Sequence, residues 1–216
     1  MAEQLTTTKR TTLRRRVDRG HIDRALVDAI VDEAYLAHVG FVVDGLPRVL
    51  PMTYGRDGDV LYLHGAAANA MLRASTGAEI CVTITLLDGL VLARAAMHHS
   101  MNYRCVVLFG VATKVTEQAE KRRAFDVIVD HALRGRSAVA RPANASELRA
   151  TLVLRLAIDE GSAKVRAGGP VDDVEDLDLP VWAGEVPIRL VAGDPVQDPA
   201  QTLTGLAAPT LLSRGA

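Results

Sequence analysis

The chain has 216 residues, 49% hydrophobic and 24% charged, which is an ordinary globular composition with enough material for one domain and a real core. Its formal net charge of −1 gives no electrostatic case for a nucleic-acid partner, and no apolar run reaches the roughly 18 residues that span a bilayer. The opening MAEQLTTTKRTTLRRR lacks the apolar stretch of a secretory signal, so a cytoplasmic protein without a membrane partner is expected.

Residues 1–20 read as a basic arm carrying Lys9, Arg10, Arg14, Arg15, Arg16 and Arg19 among few apolar residues. A solvated arm lying on a partner subunit is expected. Nucleic-acid binding is the weakest reading, because no aromatic side chains interleave the charges. Residues 22–36 follow as a helix. Ile22, Leu26, Ala29, Ile30 and Ala34 recur at three- and four-residue spacings, and Asp23 is placed to cap the start.

A strand series comes next. Asp44-Gly45 separates HVGFVV from RVLPMTYG, and Arg56-Asp57-Gly58-Asp59 separates that segment from VLYLHG. Asp-Gly between β-rich runs signals hairpins, so a three-strand antiparallel meander is expected. Pro51 cannot donate to a ladder, which leaves one edge of the second strand free to face a ligand. Within it, alternation puts Met52 and Tyr54 on one face and Thr53 on the other. The exposed backbone there suits the edge of a flat ring, and core packing of Met52 and Tyr54 is an equally good account.

The strand ending at His64-Gly65 runs into a short Ala-rich helix over 66–75, AAANAMLRAS. A helix start offers unpaired N–H groups and a positive dipole end, which suits a phosphate. A plain strand-to-helix turn is the bland alternative. EICVTITLL then reads as a strand running to Asp88-Gly89, and Tyr103 to Val115 as another. Cys81 and Cys105 sit inside these apolar runs and read as buried thiols. A disulfide is not expected without an export signal, and CxxC metal spacing is missing.

In HHSMNYR, His98 and His99 would point to opposite faces of a strand and so do not form a metal pair. Ser100, Asn102 and Arg104 share a parity that would align a hydroxyl, an amide and a guanidinium. That row suits an anionic or heteroaromatic ligand, or is a solvated face. A helix over 117–133 stacks Ala124, Ile128 and Ala132, one helical turn is expected near 146–150, and the strands TLVLRLAI and AKVRAG follow. PVWAGEVP holds the chain's single Trp, Trp182, as a lid, a dimer contact or a core residue. The Pro- and Gly-containing stretch from 193 reads as a peripheral tail. The division expected is an arm over 1–20, a β domain over 21–192 and a tail over 193–216. Six or seven short strands with few helices and no βαβ alternation indicate a small antiparallel barrel. No GxGxxG, Walker A or GxSxG motif is present.

The stretches KRTTLRR, HVGFVVDGLPRVLPMTYGRDGDVLYLHG, CVTITLLDGLVLARAAMHHSMNYRCVVLFG, SAKVRAGGPVDD and PVWAGEVPI, taken in order, resemble flavin-nucleotide-binding proteins related to pyridoxamine 5′-phosphate oxidase, in the branch that includes nitroimidazole-resistance proteins. The resemblance implies a mainly β fold with inserted helices, the FMN-binding split β-barrel, a Greek-key antiparallel barrel. It implies a homodimer with FMN at the subunit interface. It places the flavin ring against Pro51, Met52, Thr53 and Tyr54. The phosphate is then near His64, Gly65, Asn69 and Met71, and near Ser100, Asn102 and Arg104, with Arg73 and Trp182 as further contacts. Relatives carry a Ser and then an Arg or Lys in the turn after HG, where this chain has Asn69 and Ala70. A missing charge-assisted hydrogen bond is worth ~1.5–3 kcal/mol, or roughly ten- to a hundredfold in affinity. Arg73, Arg104 or the basic arm could compensate. An FMN-dependent oxidoreductase acting on a small substrate is the function implied. The alternatives are a non-catalytic flavin- or haem-binding protein and a dimer whose cofactor site has decayed.

Overall fold

The structure, a computed structural model, describes residues 3–211. In chain order the elements are β1 (Gly20–His21), α1 (Arg24–Glu33), β2 (Ala37–Val43), β3 (Leu46–Met52), β4 (Tyr54–Asp57), β5 (Val60–Ala66), α2 (Ala70–Ser75), β6 (Glu79–Leu92), β7 (Ser100–Val111), β8 (Thr113–Lys114), α3 (Gln118–Ala132), α4 (Ala145–Ala150), β9 (Thr151–Ala157), β10 (Glu160–Arg166) and β11 (Gly184–Pro187). All strand pairs are antiparallel, in two sheets that do not close into one ring. The first runs β1-β10-β7-β6-β2-β3 with β11 also on β6, and the second runs β4-β5-β9-β8. The mainly β split-barrel expectation stands.

The chain changes sheet at three short joints: Thr53 between β3 and β4, Ala112 between β7 and β8, and Ile158-Asp159 between β9 and β10. The first corrects the reading of RVLPMTYG as one strand. Met52 ends a strand of one sheet and Tyr54 begins a strand of the other. Tyr54 is fully buried, and its hydroxyl, 2.6 Å from Val31 O and 3.0 Å from Ala34 O, ties the end of α1 to the second sheet.

The main core lies between the sheets and takes Leu61 and Leu63 from β5 and Leu152, Leu154 and Leu156 from β9. The intervening Tyr62 and Val153 point the other way, into a smaller cluster with Ala124 and Ile128 of α3. The second sheet is therefore covered on both faces at β5 and β9, which is why these two strands read as largely apolar runs. On α1 the buried stripe is Val27, Ile30, Val31 and Ala34, with Arg24 beside them. Ala29 is exposed, so the stripe is turned from the one the spacing suggested. Asp23 caps the helix by accepting from Leu26 N at 2.8 Å.

Other differences are local. The Asp44-Gly45 and Gly58 turns form with positive φ. Asp88-Gly89 ends no strand: β6 continues through it, with a register shift between Leu87 and Gly89 against β7. Ala96–His98 is a 3₁₀ turn and β7 begins only at Ser100, so the two histidines are not strand neighbours. The arm is not a solvated strap. Leu5 enters the core, Leu5 N donates to Ile22 O, and Arg10 grips Glu160 through Nε at 2.7 Å and Nη2 at 2.5 Å. Its guanidinium also lies 4.5 Å from the Phe109 ring centroid. Cys81 and Cys105 are free and half-buried. No strand lies in 193–211, and those residues are exposed.

Candidate functional site

Two cavities flank the C-terminal end of β5, and His64 lines both. The first, about 440 Å³, is bounded by Leu50, Pro51, Met52 and Thr53 at the joint between sheets, by His64, and by Asn69 and Met71 around the start of α2. Six of the residues singled out in the sequence are thus brought together: Pro51, Met52, Thr53, His64, Asn69 and Met71. The wall exists because β3 is the last strand of its sheet among the described residues, so its outer backbone edge is unpaired.

The helix N-terminus is not the open phosphate cradle expected. α2 spans Ala70–Ser75, not 66–75, and Asn69 caps it. The Asn69 Oδ1 accepts from Met71 N at 2.9 Å and Leu72 N at 3.2 Å, which uses the first-turn donors a phosphate would need. Gly65 has a structural duty, since a Cβ there would sit 2.8 Å from Leu72 Cδ1. Arg73 is exposed and lines neither cavity, and no Lys or Arg lines the first.

The row on β7 is also committed elsewhere, which corrects its reading as a ligand face. Arg104 lies between Glu33 and Asp88. Its Nη2 is 2.7 Å from Glu33 Oε1 and 2.8 Å from Asp88 Oδ1, and the hydrogen bond to Glu33, then that to Asp88, raises the guanidinium pKa above its ordinary value. Asn102 is buried, donates to Glu185 Oε2 at 2.5 Å and accepts from Arg166 Nη1. Arg166 in turn donates to Gly168 O at 2.7 Å and Gly169 O at 3.0 Å. This network fastens β11 and the loop after β10. Ser100 opens β7 opposite Val91 and lines neither cavity. Tyr54 is core. Trp182 is 64% exposed, with its ring over Gly184, and lines neither cavity.

The second cavity, about 390 Å³, lies between the end of β5 and α3. Phe125, Val129, Ala140 and Pro142 give it apolar walls, and Asp126, Arg141 and Glu147 give it polar edges. Alternation along β5 sends His64 to the same face as Tyr62, the face under α3. Its ring centroid is 6.4 Å from that of Phe125. His64 Nδ1 is buried without a hydrogen-bond partner, and burial lowers the imidazole pKa, so the ring is neutral at pH 7. The sequence reading missed this cavity. Its one available signal was Phe125, the single phenylalanine of the helix over 117–133. Among the described residues no group of three or more His, Cys, Asp or Glu is assembled that could hold a metal ion, and no helix is long and apolar enough to cross a membrane.

The family model described as pyridoxamine 5′-phosphate oxidase matches residues 23–165. Among solved structures, the flavocytochrome Anf3 from Azotobacter vinelandii is 40% identical, with 94% of each chain covered and a TM-score of 0.87. The FAD and heme binding protein from Mycobacterium smegmatis is 37% identical over 88% of this chain and 94% of that one, with a TM-score of 0.84. A candidate 5-nitroimidazole antibiotic resistance protein from Bacteroides thetaiotaomicron is 26% identical over 66% of this chain and 84% of that one, with a TM-score of 0.55. A search of curated proteins found no match.

Proposed function

The chain belongs to the pyridoxamine 5′-phosphate oxidase family, and from that membership we propose that it is a flavin-dependent oxidoreductase whose flavin lies in the cavity at the β3–β4 joint. The observation that carries the reading is the convergence of Pro51, Met52, Thr53, His64, Asn69 and Met71 on one cavity beside an unpaired strand edge. Met52 and Met71 supply soft apolar surface for a ring face. The free backbone edge of β3 and the joint at Thr53 supply hydrogen-bonding groups for the ring's polar rim. When bound, a flavin supplies hydride or single-electron transfer, and the protein's part is to hold and orient it.

FMN is the cofactor the sequence implied. Its phosphate monoester is a dianion at neutral pH and calls for a charged anchor, and the cavity has none of its own. FAD carries the same charge on its diphosphate, so this lack does not separate the two, and FAD is the ligand favoured by the similar structure described as binding FAD. A homodimer is part of the proposal. On β3 and its neighbour β2, Leu46, Val49 and Val42 are 59%, 63% and 61% exposed, an apolar margin beside the cavity that a second copy would cover. A cytoplasmic location and a small-molecule substrate belong to the same reading.

Two observations favour a second cofactor, haem. One is the pair of similar structures described as a flavocytochrome and as a FAD and heme binding protein. The other is the buried, unpartnered nitrogen of His64.

The test is an absorbance spectrum of the protein as purified, followed by parallel titrations with FMN and FAD and by size-exclusion chromatography with light scattering. Near-stoichiometric flavin on a dimer, with FAD the tighter ligand, is expected. A colourless protein that quenches neither flavin's fluorescence would refute the proposal.

A further inference from the structure

Two prolines decide what the edge of β3 can offer a ligand. The loop at Asp44-Gly45 has two residues, both at positive φ, so the flanking pair Val43–Leu46 exchanges both ladder hydrogen bonds. Alternation then makes Phe41–Arg48, Val39–Leu50 and Ala37–Met52 bonded pairs, and leaves Val42–Pro47, Gly40–Val49 and His38–Pro51 as the pairs between them. On β3 the backbone groups of Pro47, Val49 and Pro51 therefore point away from β2, to the open side. Both prolines fall there, where a missing N–H costs no ladder bond. The outer edge keeps three carbonyls and a single N–H, that of Val49. It is poorly matched to a further strand and suited to a ligand that brings a donor.

Only part of this edge reaches the first cavity. Leu50, Pro51, Met52 and Thr53 line it, and Val49 does not. The carbonyls of Leu50 and Met52 face β2 in bonded pairs. Pro51 O is thus the free acceptor that the strand presents to the cavity, and no N–H accompanies it. The next group along is the N–H of Thr53, which leaves the ladder at the joint and has no hydrogen-bond acceptor among the described residues. Across the cavity the side-chain oxygen of Asn69 is already occupied by Met71 N and Leu72 N.

The polar rim of an oxidised flavin has one donor, the imide N3–H, set between two ring carbonyls. Its other rim atoms, N1 and N5 included, only accept. Resting on the flavin reading, we propose that the ring meets β3 by its imide side, with N3–H donated to Pro51 O and a neighbouring ring carbonyl accepting from Thr53 N–H. Any other rim atom at Pro51 would set acceptor against acceptor and leave both unsatisfied. N5 is then not held by this strand.

The experiment perturbs the ligand, because substitution cannot remove a backbone carbonyl. The full chain is titrated with FAD, with FAD methylated at N3 and with 5-deaza-FAD, each followed by fluorescence. Methylation at N3 should weaken binding at least about tenfold, while 5-deaza-FAD should bind within about twofold of FAD. Two nuclear magnetic resonance measurements separate a hydrogen bond from a steric clash with the methyl group. With FAD labelled with nitrogen-15 at N3, the N3–H proton should be visible in the complex and exchange slowly with water. In protein labelled with carbon-13 at proline carbonyls, the Pro51 signal, identified by its loss in Pro51→Ala, should move downfield when FAD binds.

Equal binding of FAD and its N3-methyl form overturns this inference and leaves the flavin reading intact. So does an N3–H that exchanges freely in the complex, or a Pro51 carbonyl that does not move. Weakened binding of 5-deaza-FAD with no penalty for N3 methylation shows N5 at the strand, and overturns the orientation. A wild type that binds neither FAD nor FMN overturns the flavin reading and this inference together.

Discussion

Gly55→Ala tests whether α3 rests on the second sheet as closely as the cavity beneath it requires. Gly55 lies in β4, and a Cβ there would stand 2.9 Å from Ile128 N, from Ile128 Cα and from Val127 C. Carbon atoms in contact prefer about 3.5–4.0 Å, so the helix must lift by roughly 0.6–1 Å. The obstructing atoms are backbone, so no rotamer change relieves the clash. The helix is also pinned elsewhere. Lys121 Nζ donates to Leu148 O and Thr151 O, each at 2.6 Å, and Tyr62 donates to Glu120 at 3.1 Å. Overpacking of this kind costs about 1–3 kcal/mol. For a chain of this size that is a fall of about 2–12 °C in Tm. Gly40→Ala is the control. Its nearest neighbour would be Cys81 O at 3.6 Å, an ordinary contact, and it should be neutral. The assay is urea denaturation of both variants with Tm by calorimetry. Gly55→Ala within about 0.5 kcal/mol of wild type, at an unchanged m-value, would refute the close packing of α3.

Asn102→Leu removes the hinge between Glu185 and the buried Arg166, and should cost about 1.5–3 kcal/mol in urea denaturation and open the β11 segment to limited proteolysis. Asn69→Ala removes the α2 cap, and a loss of about 0.5–2 kcal/mol is expected in the same assay. The arm should respond to pH. Hydrogen bonds from Arg10 and then Thr8 pull the Glu160 pKa down to about 2, below its unfolded value. The stabilisation is therefore present above the ordinary carboxylate range, about 4.3, and is lost as pH falls toward 2. Hydrogen exchange at the amides of Leu5 and Thr6 should stay slow at pH 5 and quicken near pH 2. Glu160→Gln should abolish that step, and an unchanged pH profile would show that the arm is held by packing alone.

Much of the fold was legible because it is written in local signals. The Asp44-Gly45 turn requires positive φ, Asp23 precedes an apolar stripe, and the strand runs are bounded by turn residues. What failed were inferences that treated a segment as one element with one surface. RVLPMTYG is a single β-rich run in sequence, and nothing local marks Thr53 as the point where it leaves one sheet for the other. The arm's charges suggested solvation, and the partner that makes Arg10 structural, Glu160, lies 150 residues away. Parity grouped Asn102 with Arg104. It could not reveal that Glu33, Asp88, Glu185 and Arg166 already engage them. A polar row is a ligand face only when its partners are not within the chain.

The same accounting separates the two cavities. At the first, the capping amide of Asn69 satisfies the helix start and no cation lines the wall, so the site suits a ligand held by its ring. At the second, a neutral buried nitrogen is left over after every internal bond is assigned. These differences follow from the placement of one residue. β5 gives Leu61 and Leu63 to the main core and Tyr62 to the cluster under α3. His64 inherits Tyr62's side at the point where the strand runs out of apolar cover. One position earlier, the imidazole would have faced the sealed core, where it would need a hydrogen-bond partner. One position later, it would meet Leu72. The placement of both cavities against His64 thus rests on the period-two alternation of β5 and on the height at which α3 crosses it.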